Sequence, residues 1–229
     1  MNEWRWLTIK DIIAELGKRY TPRDVFFDFI KCTALSISNY FSFNKNNDVY
    51  NSREQEYLIT ISKYKNDDSK ILSNMMGKLA VDINSDIDDY LGKLYMDTIP
   101  QSKLGQFFTP FHLSLLTSKT SLRDEDIAKE IDAKGKISLY EPSCGSGGMI
   151  LAFCKRVKEL GYDPSEVMEV YAGDLDINSV YMTYIQLSLL NISAQIIRCD
   201  SLSSNYNIDN KDVFNTPLKI GKRVMYAWL

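Results

Sequence analysis

The residues best suited to chemistry lie at positions 141 to 149, where the chain reads Glu-Pro-Ser-Cys-Gly-Ser-Gly-Gly-Met. The apolar run Ile137-Ser138-Leu139-Tyr140 precedes this turn, and an apolar-periodic stretch from Met149 to Lys158 follows it. The spacing predicts a strand, a glycine turn and a helix. Glycines let the backbone approach a ligand closely, and the free N–H groups of the helix N-terminus suit a polar cofactor. A tight strand-to-helix connection would use the same glycines. Two acids narrow the choice. Asp174 ends the next apolar run, in Ala172-Gly173-Asp174-Leu175-Asp176, about where a carboxylate accepts the ribose hydroxyls of an adenosine cofactor. Asp200, in Arg198-Cys199-Asp200-Ser201-Leu202, ends the run after that and is placed to accept a hydrogen bond from an adenine amino group. Each acid alone also reads as a loop or cap residue. Three successive strand ends with fitting chemistry favour a site.

Such residues need a sheet to hold them. Val167 to Leu175 is predicted as the second strand, Asn178 to Leu190 as the helix after it, and Gln195 to Arg198 as the third strand. Strands alternating with helices give an α/β fold, a parallel sheet covered by helices. The part before residue 100 reads as helical. Arg23 to Phe41 carries Val25, Phe26, Phe29, Ile30, Ala34, Leu35 and Ile37 at helical spacing behind a Thr21-Pro22 start, and this stripe is assigned to the core. Further helices are predicted over Arg53 to Tyr64 and Lys70 to Ile83, separated by the polar Lys65-Asn66-Asp67-Asp68-Ser69, with Tyr40 to Asn51 as an exposed loop. The expected division is a helical domain over 1–100 and an α/β domain over 101–229.

Composition excludes several classes. With 229 residues, 45% hydrophobic and 25% charged, the chain is an ordinary globular one, neither disordered nor fibrous. Its net charge of −3 gives no broad attraction for a phosphate backbone, so any nucleic-acid contact must be local or supplied by a partner. Cys32, Cys144, Cys154 and Cys199 form no C-x-x-C pair and His112 is the single histidine, so no metal site is expected. No apolar run approaches the roughly 20 residues of a membrane span, and the start has no leader pattern, so the expectation is a cytoplasmic protein without a membrane partner.

Glu141 to Met149 resembles the first cofactor motif of the N6-adenine DNA methyltransferases, particularly the modification subunits of type I restriction systems. Its usual form is Asp-Pro-Ala-Cys-Gly-Ser/Thr-Gly-Gly-Met/Phe, from which Glu141 and Ser143 are mild departures. Gly105-Gln106-Phe107-Phe108-Thr109-Pro110 looks like that family's other cofactor motif, Gly-Gln-Phe-aromatic-Thr-Pro, a loop that closes around the methionine part of the cofactor. On its residues alone this is a glycine-started turn with a Thr-Pro helix start and two core aromatics. Tyr90-Leu91-Gly92-Lys93-Leu94-Tyr95 is similar to the family's Leu-Gly-x-x-Tyr helix, and the resemblance spans about Ile87 to Leu202.

The resemblance implies a Rossmann-like methyltransferase core dependent on S-adenosylmethionine, with an N-terminal helical domain. The implied activity is methyl transfer to the amino group of adenine in DNA, within a restriction-modification type system. Phe107, Thr109, Pro110, Glu141, Cys144, Gly145 and Gly147 would cradle the methionine part, Asp174 the ribose and Asp200 the adenine, with Phe108, Pro142, Leu175 and Ser201 as further cofactor-binding residues. The cofactor half by itself also suits methylation of a protein or small molecule.

Methylating an adenine amino group requires the base to leave the duplex and stack in a pocket. In the family this falls to Asn-Pro-Pro-Phe/Tyr at the end of the fourth strand, and the sequence contains no such tetrapeptide. The nearest stretch, Asn215-Thr216-Pro217-Leu218, makes Asn215 and Pro217 the catalytic candidates. It puts Leu218 where an aromatic would add stacking of about 1–3 kcal/mol. Asp212-Val213-Phe214 is short for a buried central strand, and the whole stretch also reads as a turn. With Leu229 soon after Leu218, the expectation is a partial sheet, completed by a partner subunit or by a second copy in a homo-oligomer. The alternative is a non-catalytic cofactor-binding or scaffold module, a partner or regulator in a modification complex. Lys219 to Arg223 reads as a solvated basic turn before an apolar strand over Val224 to Leu229.

Overall fold

The structure, a computed structural model, describes residues 7–42, 45, 47–100, 105–203 and 209–221. The expected strand over Val224 to Leu229 lies outside these residues.

Five helices open the chain: α1 (Ile9–Leu16), α2 (Pro22–Tyr40), α3 (Asp48–Ile61), α4 (Asn66–Ser85) and α5 (Tyr90–Thr98). Their starts are written in short polar side chains. Thr8 and Asp11 form a reciprocal capping box at α1, Thr21 caps α2 ahead of Pro22, and Asp89 caps α5. Asn47 caps α3, so the asparagine-rich loop ends earlier than expected. The polar run at 65–69 is not a separator but the first turn of α4. Asp67 and Asp68 suit the positive end of that helix, and Asp68 accepts from Arg19 Nη2 at 2.5 Å and Tyr20 OH at 2.9 Å. All seven apolar residues of the α2 stripe are buried.

The α/β part begins with α6 (Phe111–Ser121) and α7 (Asp124–Lys134), then β1 (Ile137–Glu141), α8 (Gly148–Glu159), α9 (Pro164–Val167), β2 (Met168–Asp174), α10 (Ile177–Leu189), β3 (Ser193–Arg198) and β4 (Val213–Asn215). The four strands lie in the order β1-β2-β3-β4. The first three are parallel, with Ile137 opposite Met168 and Glu169 opposite Ser193. β4 departs from the parallel expectation and runs antiparallel to β3, with Gln195 opposite Asn215. One face of the sheet carries Ile137, Met168, Val170, Ala172, Ala194, Ile196 and Phe214, all buried. The other carries Ser138, Glu169 and Gln195 with Tyr140 and Tyr171, and Tyr140 is 66% exposed.

The hydrophobic core runs without a break from Ile9 to Phe214, across residue 100. Two cations, Arg53 half-buried and Arg156 buried, fasten its parts. Arg53 of α3 lies 4.1 Å above the Phe214 ring and donates to the Val213 carbonyl at 2.8 Å, holding β4. Arg156 of α8 is 2% exposed and donates to Asp124 and to the Ser118 and Leu122 carbonyls, so it ties down the C-terminal end of α6.

Candidate cofactor site

The turn after β1 owes its shape to two glycines in the left-handed region, Gly145 at φ 54° and Gly147 at φ 97°. A Cβ at Gly145 would stand 3.0 Å from the Phe108 ring, so the loop at 105–110 rests directly on the turn. That loop is held from two sides. Phe108 stacks edge-on against Tyr95 of α5 at 4.9 Å, and Tyr95 in turn packs on Phe26 of α2. Gln106 donates to Asp176 at 3.4 Å and accepts from Ser179 Oγ at 3.2 Å, pinning the loop to the start of α10.

Asp174 ends β2 beside the turn. One carboxylate oxygen accepts the Gly145 N–H at 2.8 Å and the other the Asp176 N–H at 2.9 Å. Each ionised oxygen keeps further acceptor capacity. The Cys199 N–H donates to the Asp174 carbonyl at 2.9 Å, which brings the end of β3 alongside. Asp200 is exposed and accepts the Leu202 N–H at 3.0 Å, while Leu175 and Leu202 are exposed apolar side chains on these two strand ends.

Behind the turn stands α8, whose N-cap Gly147 provides no side-chain cap. The N–H groups of its first turn therefore have no partner within the helix. Gln106, Phe107, Phe108, Thr109, Ser114, Ser143, Cys144, Gly145, Ser146, Gly148, Met149 and Asp174 enclose a cavity of about 260 Å³. Asp174 is the one formal charge among these lining residues. Beneath them is Asp89, 3% exposed, whose carboxylate accepts from Ser146 Oγ at 2.5 Å, Gln186 Nε2 at 3.1 Å and Gly92 N at 2.9 Å. Burial pushes its pKa up, against the pull of those donors.

Among the expected cofactor residues, Phe107, Phe108, Thr109, Cys144, Gly145 and Asp174 line the cavity. Pro110 is the N-cap of α6. Glu141 accepts the Ser143 N–H at 3.2 Å, Pro142 is exposed, and Gly147 turns the chain into α8. Leu175, Asp200 and Ser201 follow the ends of β2 and β3. Cys144 serves as packing: burial pushes its thiol up to about 12, so no nucleophilic thiolate is available there. Residues that no sequence motif singles out are Asp89, Ser114 and Thr183. Thr183 donates to the Gly145 carbonyl at 2.9 Å.

The catalytic candidates are not brought to this place. Asn215 lies opposite Gln195, three residues before the end of β3, or about 10 Å down the strand at roughly 3.3 Å per residue. Its side-chain oxygen accepts from Gln195 Nε2 at 2.9 Å. Pro217 follows on the chain as it runs antiparallel to β3, away from the Asp174 end. Among the described residues no group of three or more His, Cys, Asp or Glu side chains is placed to hold a metal, and no helix is long and apolar enough to cross a membrane.

A parallel sheet whose strand ends present a glycine turn, an uncapped helix and a carboxylate has the layout of a fold that binds nucleotide-type cofactors. The family model described as N-6 DNA Methylase matches residues 80–217, and the chain belongs to that family. It is similar to the type I restriction enzyme MjaIX methylase subunit of Methanocaldococcus jannaschii, with 26% identity over 154 residues, 65% of this chain and 25% of that protein. The chain thus spans about a quarter of the length of this curated relative. Among solved structures, the type I restriction-modification system methyltransferase subunit from Streptococcus thermophilus aligns with a TM-score of 0.40 and 18% identity, over 87% of this chain and 45% of that one.

Proposed function

We propose that the chain binds S-adenosylmethionine between the 105–110 loop and the 141–147 turn, and serves N6-methylation of adenine in DNA within a restriction-modification type assembly. The observation that carries this reading is the convergence of three separate stretches on one cavity: Phe108 on Gly145, Asp174 beside it and the uncapped start of α8 behind. The cofactor fits this donor set. Asp174 would accept the ribose hydroxyls, Asp200 the adenine amino group, and the loop and turn would enclose the methionine part. Leu175 and Leu202 offer apolar surface for the adenine ring. When bound, the cofactor supplies a methyl group on a sulfonium, already a good leaving group. The chain's own task is then to orient and enclose rather than to provide a strong base. With Asn215 and Pro217 away from this end, the group that accepts the adenine amino hydrogens comes from elsewhere in the assembly. DNA reaches the site with a partner subunit or second copy, in keeping with the net charge of −3. The working compartment on this reading is the cytoplasm.

Calorimetric titration of S-adenosylmethionine into wild-type, Asp174→Asn and Asp174→Ala protein tests the reading. Expected is saturable binding to wild type, at least roughly tenfold weaker in Asp174→Ala, with Asp174→Asn between them because it keeps one acceptor for the Gly145 N–H. Folded wild-type protein that binds no cofactor would sink it.

The placement of β4 favours a second reading, a cofactor-binding module without catalysis of its own. Methyl transfer to duplex DNA, assayed with and without the partner subunit, separates the two.

A further inference from the structure

Ser114, on the fourth residue of α6, is a buried hydroxyl with no hydrogen-bond partner in the structure. It is 0% exposed and lines the 260 Å³ cavity. A buried hydroxyl left unpaired costs about 1–3 kcal/mol, and such groups are rare enough in folded chains to call for a reason. The other hydroxyls around the cavity are accounted for. Ser146 gives its proton to Asp89, while Thr109 and Ser143 are open to solvent. Ser114 alone among them is both shielded from water and uncommitted.

Its neighbours indicate what it awaits. A Cβ at Gly148 would lie 3.5 Å from Ser114 Oγ, so the hydroxyl stands beside the first residue of α8. That residue's N–H belongs to the uncapped first turn, a ready anion site. No lysine or arginine lines the cavity, so an anion here would depend on hydroxyl and N–H donors. The cavity's one formal charge, Asp174, is assigned above to the ribose. A carboxylate at the far end of the ligand from its ribose would meet Ser114 and the start of α8 together.

We propose that Ser114 is a specificity-determining residue that donates its hydroxyl to the carboxylate of the cofactor's amino-acid end, jointly with the first-turn N–H groups of α8. The role rests on the cofactor reading above and adds a discrimination to it. The site tells a ligand that carries the amino-acid end from one that ends at the thioether, because only the former pairs the idle hydroxyl. The ligand-free protein bears the cost of that selectivity as an unsatisfied group.

Two neutral thioethers test this: S-adenosylhomocysteine, with the amino-acid end, and 5′-methylthioadenosine, without it. Each is titrated into wild-type and Ser114→Ala protein, and the ligand-free melting temperatures are compared. Expected is a roughly ten- to hundredfold loss of S-adenosylhomocysteine affinity in Ser114→Ala, the scale of one hydrogen bond to a charged group. Affinity for 5′-methylthioadenosine stays unchanged, and the ligand-free variant melts at or above the wild-type temperature. Equal losses for both ligands, no loss for either, or a lower ligand-free melting temperature would overturn the role of Ser114 while leaving the cofactor reading standing. Wild-type protein that binds neither thioether would remove the cofactor reading, and Ser114's role with it.

Discussion

The Asp174 end of the sheet and the β4 corner are built from similar residue types and differ in where their unpaired groups lie: at the corner Arg53 Nε and Ser193 Oγ are buried without a partner but line none of the cavity, whereas Ser114 Oγ does. At the corner, Thr216 Oγ accepts the Ala194 N–H at 2.9 Å and donates to the Ile192 carbonyl at 2.7 Å. Asn215 is taken up by Gln195, Arg53 holds the Lys211 and Val213 carbonyls, and Lys219 reaches Glu169 and Tyr171. At the Asp174 end, α8 has no cap, Ser114 has no partner, and Gly145 and Gly147 hold backbone that other residues resist. Polar groups that satisfy one another are architecture. Polar groups kept waiting around a cavity are the mark of a ligand.

The contrast breaks most sharply at Gly145. Valine there would meet the left-handed backbone and the Phe108 ring together, a cost of about 3 kcal/mol or roughly a hundredfold in cofactor affinity. Calorimetry showing wild-type affinity in Gly145→Val would erase the distinction between the two regions. Next in size is Thr216→Val, which keeps the shape but leaves the Ala194 N–H unpaired. Denaturant unfolding should show a loss of about 1–3 kcal/mol, with cofactor affinity untouched; weakened binding would mean the corner takes part in the site.

The smallest effect is the ion pair between Glu169 and Lys219. The Lys219 ammonium holds the Glu169 carboxyl below its ordinary 4.5, with Tyr171 and Lys136 adding to the effect. Stability from a depressed carboxyl is present above its ordinary pKa and is lost as pH falls through the lowered one. Lys219→Met should therefore melt below wild type at pH 7 by about 1 kcal/mol or less, and the gap should close as the pH drops below 4.5. A gap that stays constant down to acid pH would assign the loss to packing.

What the sequence disclosed follows the same division. Strand, turn and helix around Glu141 to Met149 were legible because their chemistry is contiguous, and Asp174 and Asp200 because strand periodicity located their ends. The stripe of α2 was legible from spacing alone. Ser114 and Asp89 were not, since an ordinary serine and an ordinary N-cap acquire meaning only when α6, α5 and the turn meet. The short run at 213–215 carries too little pattern to reveal its partner, and its likeness to a fourth-strand motif gave way to antiparallel pairing with β3. The run at 65–69 looked like a linker because polar residues serve equally in loops and in exposed first turns. α7 was not anticipated: its buried side is only Ile127 and Ile131, although Gly135 at φ 69° ends it.

The buried carboxylate of Asp89 bears on how this polypeptide can be divided for laboratory use. It joins Gly92, Ser146 and Gln186, residues from three distant stretches, while Tyr95 backs the Phe108 ring. A piece begun at residue 101, where composition invites a cut, would keep every glycine and strand-end acid of the site. It would also strand the Ser146 hydroxyl, leave the Gln186 amide with only the Ser146 carbonyl, and take away the wall behind the loop. The useful excision point for a minimal cofactor-binding fragment therefore lies upstream of Asp89, inside what the sequence presents as a separate helical domain.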